Sequence, residues 1–481
     1  MDLSCIPPMV TAPPLYVDLD GTLIASDLLI ESALVLVKQR PLAIFDLLGW
    51  ILQGKATLKT RIAQEVELDV AHLPYDHEVL ALIARARSEG RKVVLATASH
   101  RKYADAVAAH LRVFDAVLAT DSQKNRSGLA KLEAIQADAD GPFCYAGNSA
   151  ADLPIWQAAE SAIVVTASPA LVRRAAARAR VDAVVRPAGM GIAAVLRAMR
   201  LHQWVKNLLV FMPAVPLAAQ LGWPAVWTLL LAFFCFGLCA SSVYLLNDLL
   251  DIDADRQHPT KSRRPIPSGA MPLAWAVMLT PILLLAAFGL AAWRLPWLFA
   301  VVLVFYWALT MAYSVRLKRI TVVDVLLLAG LYTMRILAGA AVIGVIPSFW
   351  ILAFSMFLFF SLASAKRYIE LADAQRRQKM SMAGRGYNVA DIPVVLTQGI
   401  AAGQIAVMVF ALYIQDPVAT QHFRMPYFLW GVAPLLLYWI SRLWMKALRA
   451  KVHDDPLVFA VKDRQSQVIG TVCAGLIWGA L

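Results

Sequence analysis

From residue 204 to residue 481 the chain consists of apolar blocks, each about 17–23 residues long, broken by short charged loops. A helix needs about twenty apolar residues to cross the hydrocarbon of a bilayer. The blocks restrict this half to an all-helical membrane bundle. Nine spans are expected, at roughly 205–221, 226–248, 274–293, 297–313, 322–343, 348–366, 393–414, 426–445 and 465–481. Residues 1–200 read as a soluble α/β protein, with charges throughout.

Loop charges orient the bundle. With the N-terminal domain inside, the cytoplasmic loops carry nineteen Lys and Arg residues and the opposite loops only Arg294 and Arg424. That is the positive-inside asymmetry. The N-terminus lacks a basic segment followed by an apolar core, so no cleavable signal peptide is expected. The expected location is the cytoplasmic (inner) membrane, multi-pass, with the first domain and every motif below on the cytoplasmic side. The net charge of +12 is spread over loops between spans. This fits anionic lipid or phosphate ligands rather than nucleic acid. Cys5, Cys144, Cys235, Cys239 and Cys473 form no metal-ligand spacing and are expected to be reduced.

Directly after the second block, Asn247 to Gly269 reads NDLLDIDADRQHPTKSRRPIPSG. Ionisable residues at the mouth of a membrane helix are costly and usually functional. Asp248, Asp251 and Asp255, spaced i, i+3, i+7, lie along one helix face, with Asn247 beside them. Asp253 points elsewhere and reads as solvated. Hard oxygen donors with open positions suit Mg²⁺, which keeps waters and binds phosphate oxygens as well. Arg256, Lys261, Arg263 and Arg264 follow at once, as phosphate-binding cations and as topology-setting charges.

Other motifs extend the set. The loop YSVRLKRITVVDV, Tyr313 to Val325, offers Arg316 and Lys318 for phosphate and Asp324 for a second metal or a sugar hydroxyl. Arg335 returns to the face of Asp324 after three turns and should point into the bundle, as a ligand group or a buried ion-pair partner. QWVKN opens the first span with Lys206 and Asn207, and SAKRYIEL closes the sixth with Lys366, Arg367 and Glu370. In the last loop, Asp454 to Ser466, Asp463 and Arg464 either pair with each other or touch substrate.

These motifs resemble the UbiA prenyltransferase superfamily, over residues 204–481. Members that prenylate aromatics usually carry a second acidic motif of DxxxD type; here Asp324 stands alone and position 328 is Leu. QWVKN, NDLLDIDADRQHPTKSRRPI, YSVRLKRITVVD, AKRYIEL and DPLVFAVKDRQS, in this order, are closer to the branch of decaprenyl-phosphate phosphoribosyltransferases. That resemblance implies phosphoribosyl diphosphate as donor, a polyprenyl phosphate as acceptor and Mg²⁺ as cofactor. It implies a product on the way to lipid-linked arabinose of the cell envelope. Asp248, Asp251 and Asp255 would carry the metal on the donor, beside Asn247. Arg256, Lys261 and Arg264 would clamp phosphates. Lys206, Asn207, Tyr313, Arg316, Lys318, Asp324, Arg335, Lys366 and Arg367 are the remaining candidates for substrate contact.

The first half begins LYVDLDGTL, a strand candidate followed by Asp18, Asp20 and a Gly-Thr turn. Two carboxylates at i and i+2 can share chemistry, one attacking phosphorus and one moving a proton. RKVVLATAS puts Thr97 at the end of a second strand, Lys131 opens a helix, and PFCYAGNSAADLPIW gives a third strand with Asn148 and Asp152 after it. The pattern resembles the haloacid dehalogenase superfamily over about residues 14–190, with a mostly helical cap over 27–75. The resemblance implies Asp18 as nucleophile, Asp20 as acid and base, and Thr97 and Lys131 as phosphate binders. It places Mg²⁺ among Asp18, Asp20, Asn148 and Asp152. The family's usual Gly-Asp is Gly147-Asn148 here, which keeps an oxygen and loses a charge. The cap segment LAIFDLLGWILQ is apolar enough to touch a membrane. Arg173, Arg174, Arg178 and Arg180 are expected on a basic helix before the spans, facing either solvent or anionic lipid.

The expected architecture is therefore a Rossmann-like α/β hydrolase domain over 1–190, a linker over 191–203 and a nine-helix transferase domain over 204–481. The leading expectation is phosphoribosyl transfer in the membrane with phosphatase chemistry in the first domain. The alternatives are an aromatic prenyltransferase with a regulatory or degenerate first domain, and a transporter or lipid-binding membrane protein. Homo-oligomerisation is left open.

Overall fold

The structure, a computed structural model, describes residues 12–121, 126–187, 191–218, 220–378, 380, 385–421, 423–452 and 455–481. Cys5, Lys379 and Asp454 lie outside the described residues. The chain forms two compact units, Met1–Met199 with Leu245–Leu279, and Arg200–Tyr244 with Thr280–Leu481.

The first unit contains six parallel strands in the order β3-β2-β1-β4-β5-β6: β1 Leu15–Val17, β2 Val93–His100, β3 Ala116–Thr120, β4 Cys144–Gly147, β5 Ser161–Val165 and β6 Arg180–Val185. Both faces of a parallel sheet are covered by helices, so its central strands are continuous apolar runs. β1, β4 and β5 are buried at every position. One face packs Val17, Leu95 and Ala146 against Val79, Ile83 and Val107. The other packs Tyr16, Val94 and Tyr145 against Leu153 and Trp156. The helices between strands are α1 Leu28–Gln39, α2 Ala43–Leu52, α3 Lys55–Glu65, α4 His77–Ser88, α5 Arg101–Leu111, α6 Leu129–Ala139, α7 Leu153–Ala158 and α8 Pro169–Ala176; α9 Ile192–Ala198 follows β6. Residues 27–75 hold α1 to α3, and Leu42 just before α2 and Phe45, Leu48, Ile51 and Leu52 on it are all exposed. The expected basic helix over 173–180 does not form as one element. Arg173 and Arg174 end α8, whereas Arg180 opens the edge strand β6 and pairs outward with Asp182.

The membrane half is all-helical, as expected. Its helices are α10 Trp223–Leu250, α11 Ile252–Arg256, α12 Leu273–Arg294, α13 Trp297–Val315, α14 Val323–Ile343, α15 Phe349–Arg376, α16 Ile392–Gln415, α17 Pro417–Thr420, α18 Val432–Leu448, α19 Pro456–Lys462 and α20 Arg464–Ala480. Seven helical segments among the described residues are long and apolar enough to cross a membrane, against nine expected. They are α10, α12, α13, α14, α15, Val389–Gln415 and Pro426–Leu448. The first expected span is instead Leu201–Leu217, wound in the tighter i→i+3 pattern with Pro213 and Pro216 inside it. Each proline lacks an N–H and clashes with the preceding turn, which disfavours a regular α-helix. The last is α20, a helix of 17 residues that begins with Arg464, Gln465 and Ser466. Within the second unit, Phe236, Phe299, Leu303 and Tyr306 form one buried cluster. Tyr332, Phe359, Leu443 and Trp444 belong to another.

The segment Leu245–Leu279 packs with the first unit, for reasons that lie in its side chains.

Candidate active sites

Three strands of the first unit end together. β1 delivers Asp18, whose backbone N–H donates to the Ala146 carbonyl at 2.9 Å. The Asp18 carboxylate accepts from the Leu19 N–H at 2.9 Å and lies 2.9 Å from Lys131 Nζ. Asp20 accepts from the Leu28 N–H at 3.0 Å and from the Ser99 hydroxyl. Burial raises the Asp18 carboxyl. Burial and the neighbouring Asp27 push the Asp20 carboxyl up to about 7. Thr97 is fully buried in β2 and its hydroxyl accepts from the Ser99 N–H. The expected group of Asp18, Asp20, Thr97 and Lys131 is thus brought together.

Asp152 is used differently from the expectation. Its Oδ2 accepts from the Asn148 and Ser149 N–H groups and the Ser149 hydroxyl, at 2.9–3.1 Å. Its Oδ1 accepts from Tyr145, whose hydroxyl in turn accepts from Lys131. Engaged this way, the Asp152 carboxylate orients Lys131 and the turn after β4. Asn148 does reach the acidic turn. Gly21 has φ +71°, and a methyl group there would lie 2.1 Å from the Asn148 amide nitrogen. The donors left for a divalent cation are Asp18, Asp20 and the neutral Asn148. They fit Mg²⁺, with one formal charge fewer than a site with Asp at 148.

The acidic loop also belongs to the first unit. Asp248 and Asp255 are both buried, and their carboxylates converge on one nitrogen of Arg264, at 3.1 and 2.6 Å. Lys261 lies 3.6 Å from Asp255. Asp251 does not join them. The helical bonds from Asp251 N to Asn247 O and from Asp255 N to Asp251 O persist, but Asp251 itself has φ −102°, ψ 16° and separates α10 from α11. That break turns its carboxylate towards Lys38, at 3.3 Å. Asp253, expected in solvent, is half-buried, and burial and Glu31 raise its carboxyl. Arg256, expected on phosphate, is spent inside the protein. Its two terminal nitrogens donate to Glu31 at 2.9 and 2.7 Å and its Nε to the Pro267 carbonyl. Mg²⁺ needs only one or two carboxylates alongside waters and substrate phosphate. Two buried carboxylates that already share a cation meet that requirement.

In the second unit, Lys206 and Lys366 both reach Asp455 Oδ2, at 2.8 and 3.3 Å. Burial opposes ionisation of Asp455, yet the two ammonium groups hold its carboxyl well below the usual range. Arg335 faces the bundle interior as expected, but its partners are not acidic. It donates to Asn207 Oδ1 at 2.9 Å, the Leu331 carbonyl at 2.6 Å and the Tyr306 hydroxyl at 3.0 Å. Arg335 thus fastens Leu201–Leu217 to α13 and α14, and the Asn207 amide nitrogen is left buried without a hydrogen-bond partner.

Asp324 and Arg367 form a fully buried ion pair at 2.8 Å. Tyr387 donates to Asp324 at 2.7 Å, Arg385 stands 3.8 Å away and binds the Tyr313 hydroxyl, and Arg367 also binds Glu370. A carboxylate enclosed by two guanidinium groups and a phenol is no second metal ligand. Arg316 is exposed and Lys318 half-buried on the adjoining turn. Asp463 pairs with Arg442 and Lys446 and caps α20, so it does not pair with Arg464.

Several of these partners were missed from sequence: Ser99, Tyr145, Glu31, Tyr306, Tyr387, Arg385 and Asp455. Asp455 carried a signal, since Asp before Pro is a helix-start pattern. Glu31 carried none, because its partner lies 225 residues away.

Comparison with known proteins shows the family. A model of the UbiA prenyltransferase family matches residues 208–461, and one of haloacid dehalogenase-like hydrolases matches residues 15–157. Over 98% of its length the chain is 35% identical to the uncharacterized protein y4nM of Sinorhizobium fredii, covering 92% of that protein. Over 60% of its length it is 30% identical to a decaprenyl-phosphate phosphoribosyltransferase of Mycolicibacterium smegmatis, covering 93% of that protein. A solved UbiA homolog from Archaeoglobus fulgidus bound to GPP and Mg²⁺ superposes with a TM-score of 0.46 and 16% identity, over 59% of this chain and 99% of that one. The chain belongs to the UbiA prenyltransferase family and carries an N-terminal haloacid dehalogenase-like domain.

Proposed function

We propose that the chain transfers 5-phosphoribose from phosphoribosyl diphosphate to a polyprenyl phosphate, on the cytoplasmic side of the inner membrane. The observation that carries this reading is the convergence of the buried Asp248 and Asp255 on one nitrogen of Arg264, with Lys261 beside them. The name of the mycobacterial relative supports the choice of substrates. Bound at these carboxylates, Mg²⁺ offsets the charge of the diphosphate and stabilises it as a leaving group. Lys261 and Arg264 supply further positive charge to phosphate oxygens. Lys206 and Lys366 hold the acceptor phosphate, and Asp455 keeps the two ammonium groups in register. A phosphate oxygen of the acceptor forms a bond to the anomeric carbon as the bond to diphosphate breaks. The bonding pair leaves with the diphosphate, and an ionised acceptor has no proton to lose.

The first domain is read as a phosphatase for the 5-phosphate of that product. Asp18 attacks phosphorus and the ester P–O bond breaks, while Asp20 gives a proton to the departing 5-hydroxyl. Water then cleaves the acyl phosphate and regenerates Asp18. Lys131 neutralises the phosphoryl oxygens from its place beside Asp18. Carrying both activities on one chain raises the local concentration of the intermediate. The dephosphorylated lipid suits a precursor of lipid-linked arabinose for the cell envelope.

The test is the full chain in lipid nanodiscs with labelled phosphoribosyl diphosphate. Asp255→Asn should cut label transfer to lipid by about a hundredfold. Wild-type transfer by that variant would refute the metal role.

A further inference from the structure

The acidic loop is held by the N-terminal domain through one helix. Glu31, in the first turn of α1, is 1% exposed, and its partner Arg256 is 5% exposed. The two groups pair fork to fork at 2.9 and 2.7 Å, and Ser26 donates to the same carboxylate. A buried pair gains from further hydrogen bonds to its remaining donors, and the Arg256 Nε–H donates to the Pro267 carbonyl. Lys38, in the last turn of α1, lies 3.3 Å from Asp251. Gln257 donates to Asp69 at 3.0 Å. Gly269 has φ +76°, and a methyl group there would lie 2.6 Å from the Ala25 carbonyl oxygen. Four ties thus join 25–69 to 251–269. At the same end as Glu31, α1 meets the hydrolase site, where the Leu28 N–H donates to Asp20.

We infer that Glu31 is a positioning residue for the membrane-side metal and diphosphate site. It fixes Arg256, and Asp255 is the residue before Arg256. The place at which Asp255 meets Asp248 is therefore set by α1 as well as by the end of α10. Phosphoryl transfer chemistry at Asp18 is not what the transferase requires of this domain; it requires the helix. The inference rests on the assignment of Asp248 and Asp255 given above.

The experiment uses the full chain in nanodiscs, with backbone hydrogen exchange, Mn²⁺ binding by electron paramagnetic resonance and label transfer read together. Glu31→Gln should speed exchange over 252–269 about tenfold while β2 keeps its protection. It should also weaken Mn²⁺ binding about fivefold or more and lower transfer at least as much. Exchanging the partners, Glu31→Arg with Arg256→Glu, should recover much of each loss, and Arg256→Lys should fall between wild type and Glu31→Gln. Wild-type exchange and Mn²⁺ binding in Glu31→Gln would overturn the inference. So would global loss of protection, including β2, with no recovery in the exchanged pair. A wild-type chain that binds Mn²⁺ but transfers no phosphoribose would instead refute the proposed substrates and leave the role of Glu31 standing.

Discussion

Replacing Asp324 by Asn separates two readings of Arg367. The sequence marked Arg367 as a phosphate ligand, whereas the structure buries it completely against Asp324 at 2.8 Å. Removing one partner of a buried pair strands the other charge, at a cost of about 3–5 kcal/mol. Two features place this case at the lower end, near about 3 kcal/mol. Arg367 keeps Glu370, and an Asn oxygen can still accept from Tyr387. Removing both charges with Asp324→Leu and Arg367→Met strands neither member of the pair and leaves only the less buried Glu370 and the Tyr313-bound Arg385 to adjust, so the double variant should be more stable than either single variant. The assay is heat-dependent labelling of Cys235 and Cys239, which are buried in the same unit. A thiol reagent reaches them when that unit opens, and mass spectrometry of the labelled peptides reports the midpoint. The expected order is wild type, then the double variant, then Asp324→Asn. An Asn variant with the wild-type midpoint and impaired transfer would refute the structural reading and restore Arg367 as a ligand.

Other outcomes follow from the same geometry. Lys206→Met removes one of two ammonium groups shared by Asp455, and should raise KM for polyprenyl phosphate at least about tenfold, the effect of losing a charge-assisted hydrogen bond; an unchanged KM would place the acceptor elsewhere. Gly21→Ala forces a side chain into left-handed backbone, at about 1–2 kcal/mol, and into the Asn148 amide. Phosphate release should disappear while lipid labelling persists, and retained phosphatase activity would contradict the geometry. Asn148→Asp restores the missing carboxylate and should lower the Mg²⁺ concentration for half-maximal phosphate release about tenfold. No change would remove Asn148 from the metal site.

The sequence revealed most where local pattern and chemistry coincide. The runs LYV and VVLATAS announced strands because parallel strands bury both faces. Asp18, Asp20 and Lys131 were legible because each follows a strand or opens a helix, whereas Thr97, expected at the end of its strand, lies inside β2, which runs on to His100. The apolar blocks announced the bundle, but length alone did not show that Pro213 and Pro216 would tighten Leu201–Leu217. Partnerships across long separations were not legible. Arg256 looked like a phosphate clamp because its neighbours are cations, and nothing local pointed to Glu31. Asp251 looked equivalent to Asp248 and Asp255 on an ideal helix. The break at Asp251 and the charge of Lys38 remove that equivalence. Asp324 and Arg367 were each read as ligands; they neutralise each other.

The central claim is metal-assisted phosphoribosyl transfer onto a lipid phosphate. Its most direct measurement is mass spectrometry of the lipids formed when the full chain in nanodiscs meets phosphoribosyl diphosphate and polyprenyl phosphate, with Mg²⁺ or with chelator. The account predicts a phosphoribosylated lipid only with Mg²⁺, accompanied by a species about 80 Da lighter that is absent from Asp18→Asn. A lipid pool unchanged in mass, or a product formed equally under chelation, would contradict it.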